Sequence, residues 1–322
     1  MPHLIQHFAA LDPRLARLRR RADRRLKGQR PSKAAEMWYR AALFAIVAQL
    51  ALAGRAIAAE LHPMWPAGGA RDEAPAIAAR DASGRGDVGA GLAIDRPRTM
   101  ARLEPTLQTV LSRAAAKFGG IGRVADDLAA GAVDRNLSAV DKQLTSSVQR
   151  SVGLDVSPWM RPGRRIQSAM EQASIDNVAL ITSMPGKYLA RVHDVVVKNW
   201  TEGQRWESMI DGIAEAGRIA KRRANVIARD QTSKMNAAFN EARQRSIGIR
   251  RYVWRDCGIY SGPHRVRPSH QQMNGQVCEW ARPPEVDGEN VHPGEAVLCR
   301  CIGEPVVNLD VLELDDDVGM AA

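Results

Sequence analysis

Apolar residues recur at three- and four-residue steps through most of the chain up to Gly248, and that spacing predicts helices. Residues 3–62 read as helical with a break at residues 28–32, where Ser32 is placed to cap a second helix running to Leu61. Proline and glycine crowd residues 63–98, which read as a linker. Helical patterning resumes over residues 99–184, with interruptions expected at Gly119-Gly120, at Gly131 and at residues 158–163. Two helices are expected at 164–183 and 186–199. Thr201-Glu202-Gly203-Gln204 has the form of a capping box opening the next helix. That helix carries Trp206, Met209, Ile210, Ile213, Gly217, Ala220, Ala224 and Ile227 on one face, runs to Gln244 and ends at Gly248. Beyond it the texture changes. Arg251-Tyr252-Val253-Trp254 reads as a strand, followed by short apolar pieces between turns.

Aromatic residues make up only 5% of the 322 positions, while alanine and arginine are abundant, which favours helices over a large sheet. The expected fold is therefore mainly α, with long helices in the N-terminal two-thirds and a small α+β domain at the C-terminus. The corresponding division is 1–62, basic arm and helix; 63–98, linker; 99–184, helical region; 185–308, C-terminal domain; 309–322, acidic tail.

The net charge of +10 is unevenly spread. Residues 1–30 hold Arg14, Arg17, Arg19, Arg20, Arg21, Arg24, Arg25, Arg30 and Lys27 against Asp12 and Asp23, a net +7. A helical arm so charged suits DNA phosphates or an acidic protein surface, and equally a solvated helix end. It carries no groove-reading motif and no interleaved aromatics, which argues against sequence-specific binding. No export signal is apparent, so the cysteines are expected in a reducing compartment. The uncharged apolar run 41–54 is shorter than the ~20 residues a bilayer requires, and no membrane partner is expected.

Gly84, Gly86 and Gly89 form a G-x-G-x-x-G, but an alanine-rich stretch precedes it instead of a strand, so a nucleotide site is not expected. The chemistry concentrates later. All four cysteines and three of the seven histidines lie between Cys257 and Cys301. On an extended segment Cys299 and Cys301 face one side, about 6–7 Å apart, a gap that zinc with its ~2.3 Å Zn–S bonds can close. His270 and His292 are the natural completing ligands of a structural zinc, with Cys257 and Cys278 as competitors. Reduced cysteines and hydrogen-bonded histidines that pack a small domain are the plain alternative. Neither H-E-x-x-H nor the zinc-deaminase signature is present, and nothing local supplies a base for a nucleophilic cysteine. No enzymatic activity is expected. The alternative kept open is a metal-dependent nuclease using His264, His270 and His292.

Taken in order, the aromatic strand with Trp254, the stretch Arg265-Val266-Arg267-Pro268-Ser269-His270, Asn274-Gly275, His292-Pro293-Gly294 and Cys299-Arg300-Cys301 resemble the phage Mu F-like minor head protein (head morphogenesis) family. The helix around Arg229 is similar to the one that leads into that family's domain. The resemblance covers about residues 185–307, and the ordered combination is more specific than any single motif. Two features depart from it. Asp256 lies well before Arg265, where the family places its acid close by, and Cys257 and Cys278 are additions. The resemblance implies a structural minor head protein in a tailed phage virion, associated with the portal vertex or inner capsid during assembly. Its implied partners are the portal protein, the major capsid protein or packaged double-stranded DNA. In that role Arg267 is expected to fix its loop by pairing with a carboxylate or carbonyls.

Overall fold

The computed structural model describes residues 24–65, 100–153, 155–160, 163–262 and 265–307. Arg14, Arg17, Arg19, Arg20 and Arg21, nearly all of the linker, the G-x-G-x-x-G, His264 and the acidic tail lie outside them. The described residues form six α-helices: α1 (Lys33–Leu61), α2 (Met100–Ala116), α3 (Ile121–Val152), α4 (Arg164–Thr201), α5 (Trp206–Ser246) and α6 (Pro268–Gln272). Six strands accompany them: β1 (Arg24–Arg25), β2 (Arg251–Arg255), β3 (Val277–Glu279), β4 (Glu285–Val286), β5 (Glu289–Asn290) and β6 (Ile302–Val307). The protein is mainly α with a small α+β C-terminal region, as the patterning predicts.

Two compact units emerge, and they interleave in sequence. One gathers residues 1–42, 124–179 and 225–322; the other, residues 43–123 and 180–224. Each therefore draws on stretches that a division in chain order keeps apart.

The second unit is helical. From α1 it buries Leu43, Val47, Leu50, Ile57 and Leu61; from α2, Leu103, Leu107 and Val110; from α4, Ile181, Tyr188, Val192 and Val196; from α5, Met209 and Ile213. Steps of three, four and seven residues place each set on one helix face. Trp65 packs edge-on against Trp200 and Trp206, and its indole N–H donates to the Gln204 carbonyl at 3.1 Å. The segment Lys33–Met64 is, by length and composition, long and apolar enough to cross a membrane, so judging by the 41–54 run alone underestimates it. Here the apolar face of α1 is covered by protein.

The first unit contains the sheet. Four antiparallel strands follow the order β1-β6-β2-β3, and β4 and β5 form a separate hairpin. Asp287 and Gly288 at the hairpin tip both have positive φ (56° and 81°), the conformation a tight two-residue turn between twisted strands requires. One apolar cluster joins Leu26 and Val307 to Leu144, Val148 and Val152 of α3 and to Ile247 and Ile249. A second, aromatic cluster holds Tyr252, Trp254, Trp280, Val286, Cys299 and Cys301.

Several local expectations hold. Ser32 Oγ accepts the Ala35 N–H at 3.2 Å and caps α1. At the end of α5, Ile249 N–H donates to the Gln244 carbonyl and Gly248 N–H to that of Arg245, with Gly248 at φ 82°, a complete Schellman motif.

Others are overturned by tertiary packing. Arg24–Arg25 is not helical: it pairs with Val306–Val307 as a sheet strand, and the next residues alternate exposed and buried out to Gly28. Gly131 does not interrupt α3. It leaves room for Trp38, whose ring would lie 2.6 Å from a Cβ there. Helix α4 passes straight through Pro185, because Ile181, Met184, Tyr188 and Val192 are buried along one face and burial outweighs the lost backbone bond. Thr201 does not open α5. It is the last residue of α4, and its hydroxyl donates back to the Val197 and Lys198 carbonyls.

Candidate functional site

The first unit's C-terminal module is positioned by a polar stripe along α5. Asn236, Asn240 and Gln244, spaced four apart and all buried, meet the N-terminal segment at Gln29. The Asn236 and Asn240 amides donate to the Gln29 carbonyl at 3.0 and 3.4 Å, and the Gln244 amide donates to Gln29 Oε1 at 3.2 Å. Gln244 Oε1 in turn accepts the Trp280 indole N–H at 2.9 Å. One turn away, Arg243 forms a bidentate bridge to Asp141 of α3 at 2.7 and 2.9 Å. Burial raises the Asp141 pKa despite that bridge.

On this frame Cys299, Cys301 and His270 converge. The two sulfurs lie 3.4 and 3.5 Å from His270 Nδ1, and all three side chains are buried. His270 is carried by the short α6 and packs at right angles against Trp254, ring centroids 5.5 Å apart. Its Nε2 finds no hydrogen-bond partner among the described residues, while the Asp287 carboxylate of the β4–β5 turn stands 3.8 Å away. Cys299 is delivered by a strained turn. Leu298 has φ 58°, an uncommon conformation for a residue with a Cβ, and its N–H donates to Asp230 Oδ1 at 2.6 Å. Asp230 lies on α5 and is itself held by Lys234 at 3.0 Å.

The two thiols are electrostatically unlike. Donation from Cys301, seconded by His270, lowers the Cys299 pKa. The hydrogen bond to Cys299 and burial raise the Cys301 pKa. A buried His/Cys/Cys group whose donor atoms all lie within 4.8 Å of one another is an arrangement able to hold a metal ion.

A cavity of about 130 Å³ adjoins the group. Arg229, Arg265, Arg267 and Arg300 line it together with Cys257, His270, Cys299 and Cys301, and no carboxylate is among its described lining residues. Burial lowers the Arg229 pKa, Arg300 adding to the effect, and Arg229 Nε has no hydrogen-bond partner among the described residues. Arg267 donates to the Val297 carbonyl at 3.0 Å, tying its loop to the turn before Cys299.

The structure thus gathers His270, Cys299 and Cys301, with Cys257 on the same cavity wall, but it places His292 elsewhere. His292 Nδ1 shares a 2.9 Å hydrogen bond with the Tyr252 hydroxyl, and its ring packs against Trp280 at a 59° tilt, centroids 4.9 Å apart. Cys278 also belongs to that neighbourhood, opposite Tyr252 in the β2–β3 register. Asp256 shapes a turn, accepting the Gly258 N–H at 2.9 Å and the Tyr260 hydroxyl at 3.2 Å. Of the basic arm, the described residues include Arg24, Arg25 and Lys27, which lie on and beside an edge strand. Sequence reasoning missed Asp230 and Asp287. The Asp-Gly pair at 287–288 is a readable turn signal, whereas no local pattern marks Asp230.

Comparison with known proteins agrees with the motif order. Residues 190–303 match the family described as Phage Mu protein F like protein. The chain is also 32% identical over 184 residues to an uncharacterised protein of Haemophilus influenzae, a stretch covering 57% of this chain and 40% of that relative. No solved structure matches.

Proposed function

We propose that this chain, phage Mu F-like over residues 190–303, is a structural minor protein of a tailed phage head, docking on the portal vertex or inner capsid surface during assembly. The observation that carries the reading is the family match, which spans the last turns of α4, all of α5 and the C-terminal module from β2 to the start of β6. Its conspicuous residues also serve architecture. Trp254 and His270 pack on each other, Arg267 ties down a loop, and Asp230 holds the turn before Cys299. The excess positive charge of residues 1–30 suits an acidic face of a capsid component or packaged DNA, bound by phosphate neutralisation.

The nuclease alternative gains nothing from the geometry. His270 and His292 have different partners and share no ligand set, and His264 lies outside the described residues.

The test is to purify heads from a phage or prophage encoding this chain, with and without its gene. The chain is expected among the head proteins by mass spectrometry, and its deletion is expected to give aberrant or unfilled heads by electron microscopy. Normal, DNA-filled heads that lack the chain in the wild type would overturn the proposal.

A further inference from the structure

We propose that His270, Cys299 and Cys301 bind a tetrahedral zinc ion and that Cys257 supplies its fourth ligand, forming a closed structural centre of one histidine and three cysteines.

The spacing of the donors is the first support. With Zn–S near 2.3 Å and Zn–N near 2.0–2.1 Å, adjacent corners of a tetrahedron holding sulfur and nitrogen lie about 3.6 Å apart. Nδ1 of His270 stands 3.4 and 3.5 Å from the two sulfurs, already at the separation an ion would impose. Ordinary packing does not require two thiols and an imidazole nitrogen to point at one spot inside a protein. Here the turn that delivers Cys299 accepts backbone strain at Leu298, and Asp230 is spent holding it.

The imidazole is also oriented as a ligand. Nδ1 faces the thiols, Trp254 packs on the ring, and the Asp287 carboxylate stands 3.8 Å from the buried Nε2, close enough to move into a hydrogen bond. A carboxylate behind the far nitrogen is the usual means of setting the tautomer and basicity of a metal-bound histidine.

The surrounding charge selects the fourth donor. Two half-buried arginines, Arg229 and Arg300, and two exposed ones, Arg265 and Arg267, line a small cavity with no carboxylate among its described lining residues, a positive field that favours an anionic centre over a neutral one. Zinc with two thiolates is neutral, whereas zinc with three carries one negative charge. Cys257, which is outside the group of donors lying within 4.8 Å of one another and would have to close in on the ion, is the remaining soft donor among the described residues of that cavity wall. Cys278 and His292 lie in the Tyr252–Trp280 neighbourhood and are left out. Such a centre would pin together the Cys257 loop, α6 and the Cys299–Cys301 turn, segments with little secondary structure of their own.

The test uses the full-length chain purified under reducing conditions. Metal analysis should find about one zinc per chain, and removing it with a chelator should lower the melting temperature reversibly. After exchange into cobalt, the visible spectrum should show tetrahedral d–d bands and a near-ultraviolet thiolate-to-metal band. Cys257→Ser should keep the metal but weaken the thiolate band by about one third, since three thiolates become two. Cys299→Ser and Cys301→Ser should abolish stoichiometric binding, whereas His292→Ala and Cys278→Ser should leave stoichiometry and spectrum unchanged. Should a serine variant not fold, the chelator titration of the wild-type chain and its thiol count decide. A zinc-supplied native chain with no metal and freely titrating thiols, or with Cys299 and Cys301 oxidised to each other, would overturn the centre. Full metal retention in Cys299→Ser would do the same, and an unchanged thiolate band in Cys257→Ser would overturn the fourth ligand. None of these outcomes depends on the role in the phage head.

Discussion

The two compact units are built largely from the same long helices, yet they are held by different interactions. All the buried polar residues identified among the described positions belong to the unit that contains the sheet, from Gln29 and Asn136 through the α5 stripe to His270 and His292. The helical unit buries leucine, isoleucine, valine, alanine, methionine, tyrosine and tryptophan. Apolar packing is non-directional and tolerates many arrangements. Buried polar groups are costly unless each finds its partner, so they specify one arrangement. The sheet unit must bring the N-terminal segment, α3, α5 and several short strands into one register, and such pairings are what a polar network can dictate.

Breaking the network in the sheet unit should cost most. Arg243→Met leaves the Asp141 carboxylate, one quarter exposed, without its buried partner and should destabilise the protein by about 3 kcal/mol, the low end for a broken buried pair. Adding Asp141→Asn should recover a large part, so a double-mutant cycle by denaturant unfolding measures the coupling. Additive losses would mean that the bridge is not an interacting pair.

Gln244→Leu comes next. It orphans the Trp280 indole N–H and Gln29 Oε1, at about 1–3 kcal/mol for each buried group left unpaired. The loss should appear in chemical unfolding together with a shifted Trp280 fluorescence.

The helical unit should respond to volume instead. At Gly54 a Cβ would lie 2.0 Å from the Tyr188 hydroxyl and 2.9 Å from Ile213 Cγ2. Gly54→Ala should therefore cost about 1–3 kcal/mol by overpacking, and Tyr188→Phe in the same chain should relieve part of it. The smallest effect is expected from Tyr188→Phe alone. That hydroxyl is buried with no hydrogen-bond partner, so its removal should leave the melting temperature unchanged or slightly raised. A marked loss there would show that the helical unit also depends on polar contacts.

Much of the helical architecture was legible because its signals are local. Ser32 and Gly248 mark helix ends by backbone chemistry alone, and the apolar faces of α1 and α5 repeat at helical spacing. The misreadings share one cause. Gly131, Pro185 and Arg24–Arg25 carry local preferences that distant partners outweigh: Trp38 across a helix contact, a buried face of α4, and the edge of β6. The candidate site divides in the same way. The order of Cys, His and Arg motifs agrees with the family match, and the residues singled out from it include the three that the fold gathers. Exchanging His292 for Cys257 in the proposed ligand set required the fold, since four ligand-capable residues at similar sequence distances differ only in where their backbones lead.

By itself the sequence determined a mainly helical chain with its soft ligands collected in one C-terminal block, because composition, periodicity and capping act within a few residues. Only the tertiary structure decided which stretches share a unit, that Arg24–Arg25 joins the sheet, and that His270, Cys299 and Cys301 meet while His292 turns to Tyr252. Those outcomes depend on burial and pairing between residues as much as 283 positions apart, as at Arg24 and Val307, which no local pattern encodes.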